Sequence, residues 1–108
     1  MPEGHVYILG STTGTLYTGV TSKFDQRLFE HKNGIKSAFA SQHKCNRLLL
    51  HEPYVDIRSA IAREKEIKGW TRSKKLALIS QTNPEFKDLA AQHRWQILHL
   101  NQNIADQK

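Results

Sequence analysis

Between His5 and His31 the chain reads HVYILGSTTGTLYTGVTSKFDQRLFEH, and no other stretch restricts the fold so strongly. Two short apolar runs, Val6-Tyr7-Ile8-Leu9 and Leu16-Tyr17-Thr18-Gly19-Val20, flank Ser11-Thr12-Thr13-Gly14. Turn-forming residues between runs rich in β-branched and aromatic side chains specify a β-hairpin. Its strands fall near 5–10 and 15–20. From Lys23 to Asn33 the pattern switches to helical spacing, with Phe24, Leu28 and Ile35 on one stripe. At about 100° per residue, Arg27 and His31 project from that same stripe. A helix that buries Phe24 and Leu28 therefore points a guanidinium and an imidazole at a hairpin that carries two phenols, Tyr7 and Tyr17. An ordinary core does not gather so much polar chemistry.

The rest of the chain supplies one further strand and several helices. Thr21 or Ser22 is placed to cap the first helix, and Asn33-Gly34 to end it. Residues 35–45 read as a loop or one irregular helical turn. A third strand is expected near 46–52; Leu48-Leu49-Leu50 at its centre implies burial on both faces, and Pro53 is expected to end it. A helix near 56–69 runs from Asp56 to Gly69 with Ile57, Ala60, Ile61 and Ile67 inward. Another spans about 71–80, capped by Thr71, with Leu76 and Ile79 inward. Asn83-Pro84 breaks the chain, and Pro84 is expected to open a fourth helix near 84–93. Residues 95–108 carry Ile97, Leu98 and Leu100 before a polar end, and are expected to add a short helix or strand or to fray as a partly flexible extension. The class is α+β: a three-stranded antiparallel sheet flanked by helices.

A chain of 108 residues makes one domain, with a modest core and no room for an appended DNA-reading module. No apolar run is long enough to span a membrane and no signal peptide is visible, and the lone Cys45 admits no internal disulfide, so a reducing cytoplasm is expected. The net charge of +6 is uneven. Arg58, Arg63, Lys65, Lys68, Arg72, Lys74 and Lys75 cluster together, and Lys23, Lys32 and Lys36 form a second group. A polyanionic partner fits this charge; a solvated helix face is the alternative.

Glu64 lies in the middle of the inward stripe of its helix. A carboxylate there is costly unless paired, protonated or bound to a metal. It is either an ion pair with Arg27 or Lys68, or a ligand for a hard cation such as Mg²⁺, which needs few protein carboxylates and keeps several waters. The histidines 5, 31, 43, 51, 93 and 99 form no close pair of zinc-ligand spacing, and there is one Cys. Phe39, Trp70 and Trp95 are core candidates first, although Trp70, set among Lys and Arg, could stack a base.

Val6-Tyr7, Tyr17-Thr18-Gly19, Arg27 and His31 also carry a resemblance. In order and spacing they resemble the GIY-YIG endonuclease superfamily, here with His5-Val6-Tyr7 and Tyr17-Thr18-Gly19 as the two strand motifs. The similarity runs over roughly residues 4–90 through Ser37-Ala38-Phe39, Asn46-Arg47-Leu48, Ala60 to Trp70 and Asn83-Pro84-Glu85-Phe86. It is to the compact, stand-alone bacterial type, which places the nuclease domain at 1–94 and an extension at 95–108.

The resemblance implies a metal-dependent endonuclease acting on DNA. Its catalytic set would be Tyr7, Tyr17, Arg27, His31, Glu64 and Asn83, with Glu64 holding Mg²⁺ or Mn²⁺. Asn83 has a dull alternative, since Asn-Pro is a common turn initiator. Lys23, Arg63, Lys68, Trp70, Arg72, Lys74 and Lys75 would line the nucleic-acid path. Such a surface attracts backbone without reading bases, and a flexible strand enters a recessed site more readily than a stiff duplex. Single-stranded DNA is thus expected over duplex, with RNA left open. A non-catalytic nucleic-acid-binding module on the same basic face is the competing reading; it gives no reason for an inward Glu64.

Overall fold

The hairpin forms where its pattern places it. In the computed structural model, which describes residues 2–32 and 44–90, β1 (Gly4–Gly10) and β2 (Leu16–Thr21) pair antiparallel. Ser11 closes the turn: its amide donates to the Thr15 carbonyl at 3.0 Å and its hydroxyl accepts from the Thr15 amide at 3.0 Å. β3 (Arg47–Tyr54) pairs antiparallel with the other side of β1, giving the order β2-β1-β3. The helices α1 (Phe24–Lys32), α2 (Ile57–Lys68) and α3 (Arg72–Thr82) complete the expected α+β architecture.

The alternation of β1 divides the core in two. Tyr7 and Leu9 face Phe24 and Leu28 of α1, together with Cys45, Leu48 and Ala90. Val6 and Ile8 face Ala60 and Ile67 of α2, Ile79 of α3, and Leu49 and Leu50. Three successive leucines can all be buried because the register slips between Ile8 and Leu9. Leu50 lies opposite Ile8 and Leu48 opposite Leu9, so Leu49 is the extra residue of a bulge. The bulge sends Leu48 to one core and Leu49 and Leu50 to the other.

The caps follow the sequence. Asp56 accepts from the Ser59 amide at 2.8 Å, and Thr71 accepts from the Lys74 amide at 3.2 Å. Other expectations need correction. β3 does not stop at Pro53 but continues to Tyr54, which an edge strand tolerates because its outer side needs no amide donor. Ile61 is exposed rather than inward. Residues 84–88 form no helix; among the described residues of this segment only Leu89 and Ala90 take a 3₁₀ turn. Instead the segment after α3 binds β3. Asn83 donates to the Leu49 carbonyl, Arg47 donates to the Phe86 carbonyl at 2.7 Å, and Asp88 accepts from the Leu48 amide at 2.9 Å. These contacts cover a sheet edge that would otherwise present open ladder groups. Ile35, Phe39, Trp95, the 35–43 stretch, the end of the expected fourth helix and the 95–108 extension lie outside the described residues. Among the described residues no helix is long and apolar enough to cross a membrane.

Gly4 is where β1 and α2 come closest. A Cβ there would lie 2.7 Å from Ala60 Cβ, 2.8 Å from the Asp56 carbonyl oxygen and 2.9 Å from Ile57 Cα. None of those atoms can swing aside. Gly4→Ala should destabilise the fold by about 1–3 kcal/mol, the usual cost of overpacking. In urea the midpoint should fall at constant slope; an unchanged midpoint would mean that α2 has room to move off β1.

Candidate active site

The site is built around the Tyr7 hydroxyl. Tyr7 sits on the central strand opposite Gly19, and its ring lies across that glycine: a Cβ on Gly19 would come within a clashing distance of the phenol ring and hydroxyl. The second strand motif needs its glycine for this reason. From the other direction α1, anchored by Phe24 and Leu28, delivers His31, whose Nε2 lies 3.0 Å from the hydroxyl. Arg27, one turn earlier, acts on the same hydroxyl with its positive charge, and its Nε is 3.3 Å from Glu30 Oε1. Tyr17 completes the aromatic wall, with its ring 5.4 Å from that of His31 and 6.4 Å from that of Tyr7. The negative charge of Glu64, on α2, also acts on Tyr7.

Burial pushes the Tyr7 hydroxyl up to about 12; Tyr17 and Glu64 push the same way, and Arg27 opposes them by charge and hydrogen bond. Burial and the Arg27 charge hold the His31 imidazole below its ordinary 6.5, with Glu30 opposing. Near neutral pH both groups are therefore uncharged. We assign the phenol as the donor to His31 Nε2, with the Arg27 charge acting on its oxygen, which places the imidazole proton on Nδ1. Nδ1 is buried and has no hydrogen-bond partner among the described residues; the same is true of Thr18 Oγ1.

Glu64 is buried, as its stripe implies, and carries an ion pair to Lys68 at 2.8 Å. Lys68 is half exposed, so this cation can move away at little cost. Among the described residues no three acidic, histidine or cysteine side chains gather as a metal cage. A single recessed carboxylate still fits an Mg²⁺-type ion, which takes hard oxygen ligands and retains waters. His5 and His51, not adjacent in sequence, do meet across β1 and β3 at 2.8 Å, with the His51 ring stacked on Phe24 at 3.9 Å. They recruit no third ligand among the described residues.

Asn83 stands apart from this cluster. Its amide donates to the Lys87 and Leu49 carbonyls at 2.8 and 3.3 Å and accepts from the Lys87 amide at 3.0 Å. It thus latches the chain to β3, the strand on the far side of β1 from β2. The expected nucleic-acid residues also divide. Arg63 is held by Glu52 at 3.0 Å and by Glu66, and it packs 5.0 Å from the centre of the Trp70 ring. Trp70 is part-buried against the core, with Lys74 4.4 Å from its ring centre. Arg63 and Trp70 are therefore occupied within the protein. Lys23, Arg72 and Lys74 are exposed, Lys75 partly so, and Arg72 lies beside the hairpin turn at Gly14. A polar cavity of about 230 Å³, lined by Thr21, Ser22, Lys23, Gln26, Arg27 and Glu30, opens next to the cluster. The sequence reading passed over Glu30; an acid three residues after Arg27 and adjacent to His31 was the available signal.

Residues 3–77 match the family model described as the GIY-YIG catalytic domain, a span that includes Tyr7, Tyr17, Arg27, His31 and Glu64 but not Asn83. The chain is 41% identical over 86 residues to a UPF0213 protein of Syntrophus aciditrophicus, covering 79% of this chain and 98% of that one. It is 33% identical over 81 residues to a UPF0213 protein of Staphylococcus saprophyticus, covering 75% and 99%. The solution NMR structure of a UPF0213 protein from Bacillus halodurans superposes with a TM-score of 0.53 at 28% identity, covering 79% of this chain and 90% of that one. By the match of residues 3–77 to that family model, the chain belongs to the GIY-YIG catalytic domain family.

Proposed function

We propose that this chain is a divalent-metal-dependent endonuclease that hydrolyses phosphodiester bonds of single-stranded or flexibly structured DNA in the cytoplasm. The observation that carries the reading is the Tyr7 hydroxyl, which bonds a neutral His31 while Arg27 and Glu64 act on it. Family membership supports nuclease chemistry of this kind.

Phosphodiester hydrolysis requires an aimed and deprotonated water, neutralised charge on the phosphate and a stabilised leaving oxygen. Arg27 is partly exposed and can fork onto non-bridging oxygens with the N–H groups that Glu30 leaves open. Glu64 is the residue to hold Mg²⁺ or Mn²⁺, which when bound supplies positive charge to the phosphate and the leaving 3′ oxygen. Of the two phenols, Tyr7 is sealed at 2% exposure whereas Tyr17 is part-exposed. A base must reach the water it deprotonates, so Tyr17, once its phenolic proton has passed to solvent, takes the proton of the water as a phenolate, and Tyr7 fixes His31 behind it. Lys23, Arg72, Lys74 and Lys75 attract the strand, and Lys68 joins them once it leaves Glu64. Asn83 acts by latching the 83–88 turn.

Cleavage of labelled oligonucleotides should require Mg²⁺ or Mn²⁺ and stop in EDTA. Glu64→Ala should abolish it with the fold retained, and Arg27→Ala should cost about 3–4 kcal/mol in the barrier, the scale of losing one transition-state donor. Full activity of Glu64→Ala, free of contaminating nuclease, would refute the metal role. DNA binding without cleavage under any metal would favour the non-catalytic module instead.

The two phenols should separate kinetically. Tyr17→Phe should lower kcat by about 10²–10⁴-fold, the range of a lost general base, and Tyr7→Phe should cost less. The folded His31 titrates below 6.5, so the loss of rate that comes from protonating His31 should set in only beneath that pH. Stability carries the same sign: the unfolded chain takes up the proton first, so folding weakens as pH falls from 6.5. A greater loss for Tyr7→Phe than for Tyr17→Phe would reverse the assignment of roles.

Affinity for single strands should fall steeply with salt and vary little with sequence. Competition between single-stranded, branched and duplex DNA measures the preference. Strong sequence-specific cutting of intact duplex would contradict it.

A further inference from the structure

We infer that Glu30 is a positioning residue for Arg27, an assignment that deepens the nuclease reading and rests on it. Glu30 is 8% exposed and lies in the wall of the polar cavity that Arg27 shares. A carboxylate in that place is doubly unfavourable: burial removes its water, and its charge opposes an incoming phosphate. Its contact with Arg27 resolves both. Oε1 lies 3.3 Å from Arg27 Nε, so its charge is neutralised before a phosphate arrives. The charge of the same guanidinium also acts on the Tyr7 hydroxyl. With Nε held against Glu30, the planar fork is restrained from swinging out with the rest of its part-exposed side chain. The remaining N–H groups then face a fixed direction. Such pre-orientation matters for a group whose use is in the transition state, where a misplacement of about 1 Å can cost on the order of 100-fold in rate. A lysine at position 27 could not hold Glu30 and a phosphate together in one plane.

The test has two arms. In the first, kcat and KM for an oligonucleotide are measured with Mn²⁺ for wild type, Glu30→Ala, Glu30→Gln, Arg27→Ala and the Arg27→Ala/Glu30→Ala double variant. Glu30→Ala should lower kcat by about 10- to 100-fold with KM little changed. Glu30→Gln, which keeps an acceptor for Nε, should retain more of the rate and also serves if the alanine variant folds poorly. In the Arg27→Ala background the loss of Glu30 should add nothing. An equal loss in that background would overturn the proposal, because Glu30 would then act without Arg27. The second arm needs no catalysis. In ¹⁵N-resolved NMR the Arg27 Nε–H should be protected from solvent exchange in the wild type and exposed in Glu30→Ala. Exchange as fast as that of the exposed Arg72 would overturn the proposal whether or not the chain cuts DNA. An inactive wild type with a protected Arg27 Nε–H would count against the nuclease reading alone.

Discussion

The bond between the Tyr7 hydroxyl and His31 Nε2 ties the central strand to α1, and the other groups of the site take their positions from it. It exists only because three separate requirements are met. Gly19 leaves space for the Tyr7 ring, Phe24 and Leu28 fix the rotation of α1, and burial keeps the imidazole neutral so that it can accept a proton. Each is a local property of the stretch from His5 to His31. The downstream elements add the second core and bring in Glu64.

That locality explains what was legible in the sequence. Hairpin, helix and the placing of Arg27 and His31 follow from periods of 2 and 3.6 and from one turn. Glu64 could be read as buried from its stripe, yet whether it is paired depends on Lys68 one turn later, a contact that a pattern of apolar positions does not encode. The burial of Leu48, Leu49 and Leu50 was visible, but the bulge that makes it possible arises from pairing with β1. Asn83-Pro84 reads as a helix opening by local chemistry. The sheet edge overrode it, because β3 needed partners and the following segment supplies them.

The basic residues show the same division. A cluster of cations in sequence says that positive charge is present, not which charges remain free. Arg63 reaches Glu52 on β3 and Glu66 on its own helix, and Lys68 reaches Glu64. Both pairings depend on where the folded chain puts acids. Glu30 belongs to this class: as one charged residue among several on α1 it carries no periodic signal, and its meaning comes from burial beside Arg27. Tertiary structure thus sorts one charge cluster into ion pairs that build the protein and cations left at its surface.

The central claim is that His31 is neutral and accepts the Tyr7 proton on Nε2. Long-range ¹H–¹⁵N NMR of the imidazole at neutral pH measures this directly, without substrate or metal. A neutral ring with its proton on Nδ1 is the predicted result. A proton on Nε2, or an imidazolium at that pH, would contradict the account, since the Tyr7 hydroxyl would then have no acceptor in His31 and the arrangement around it would need another explanation.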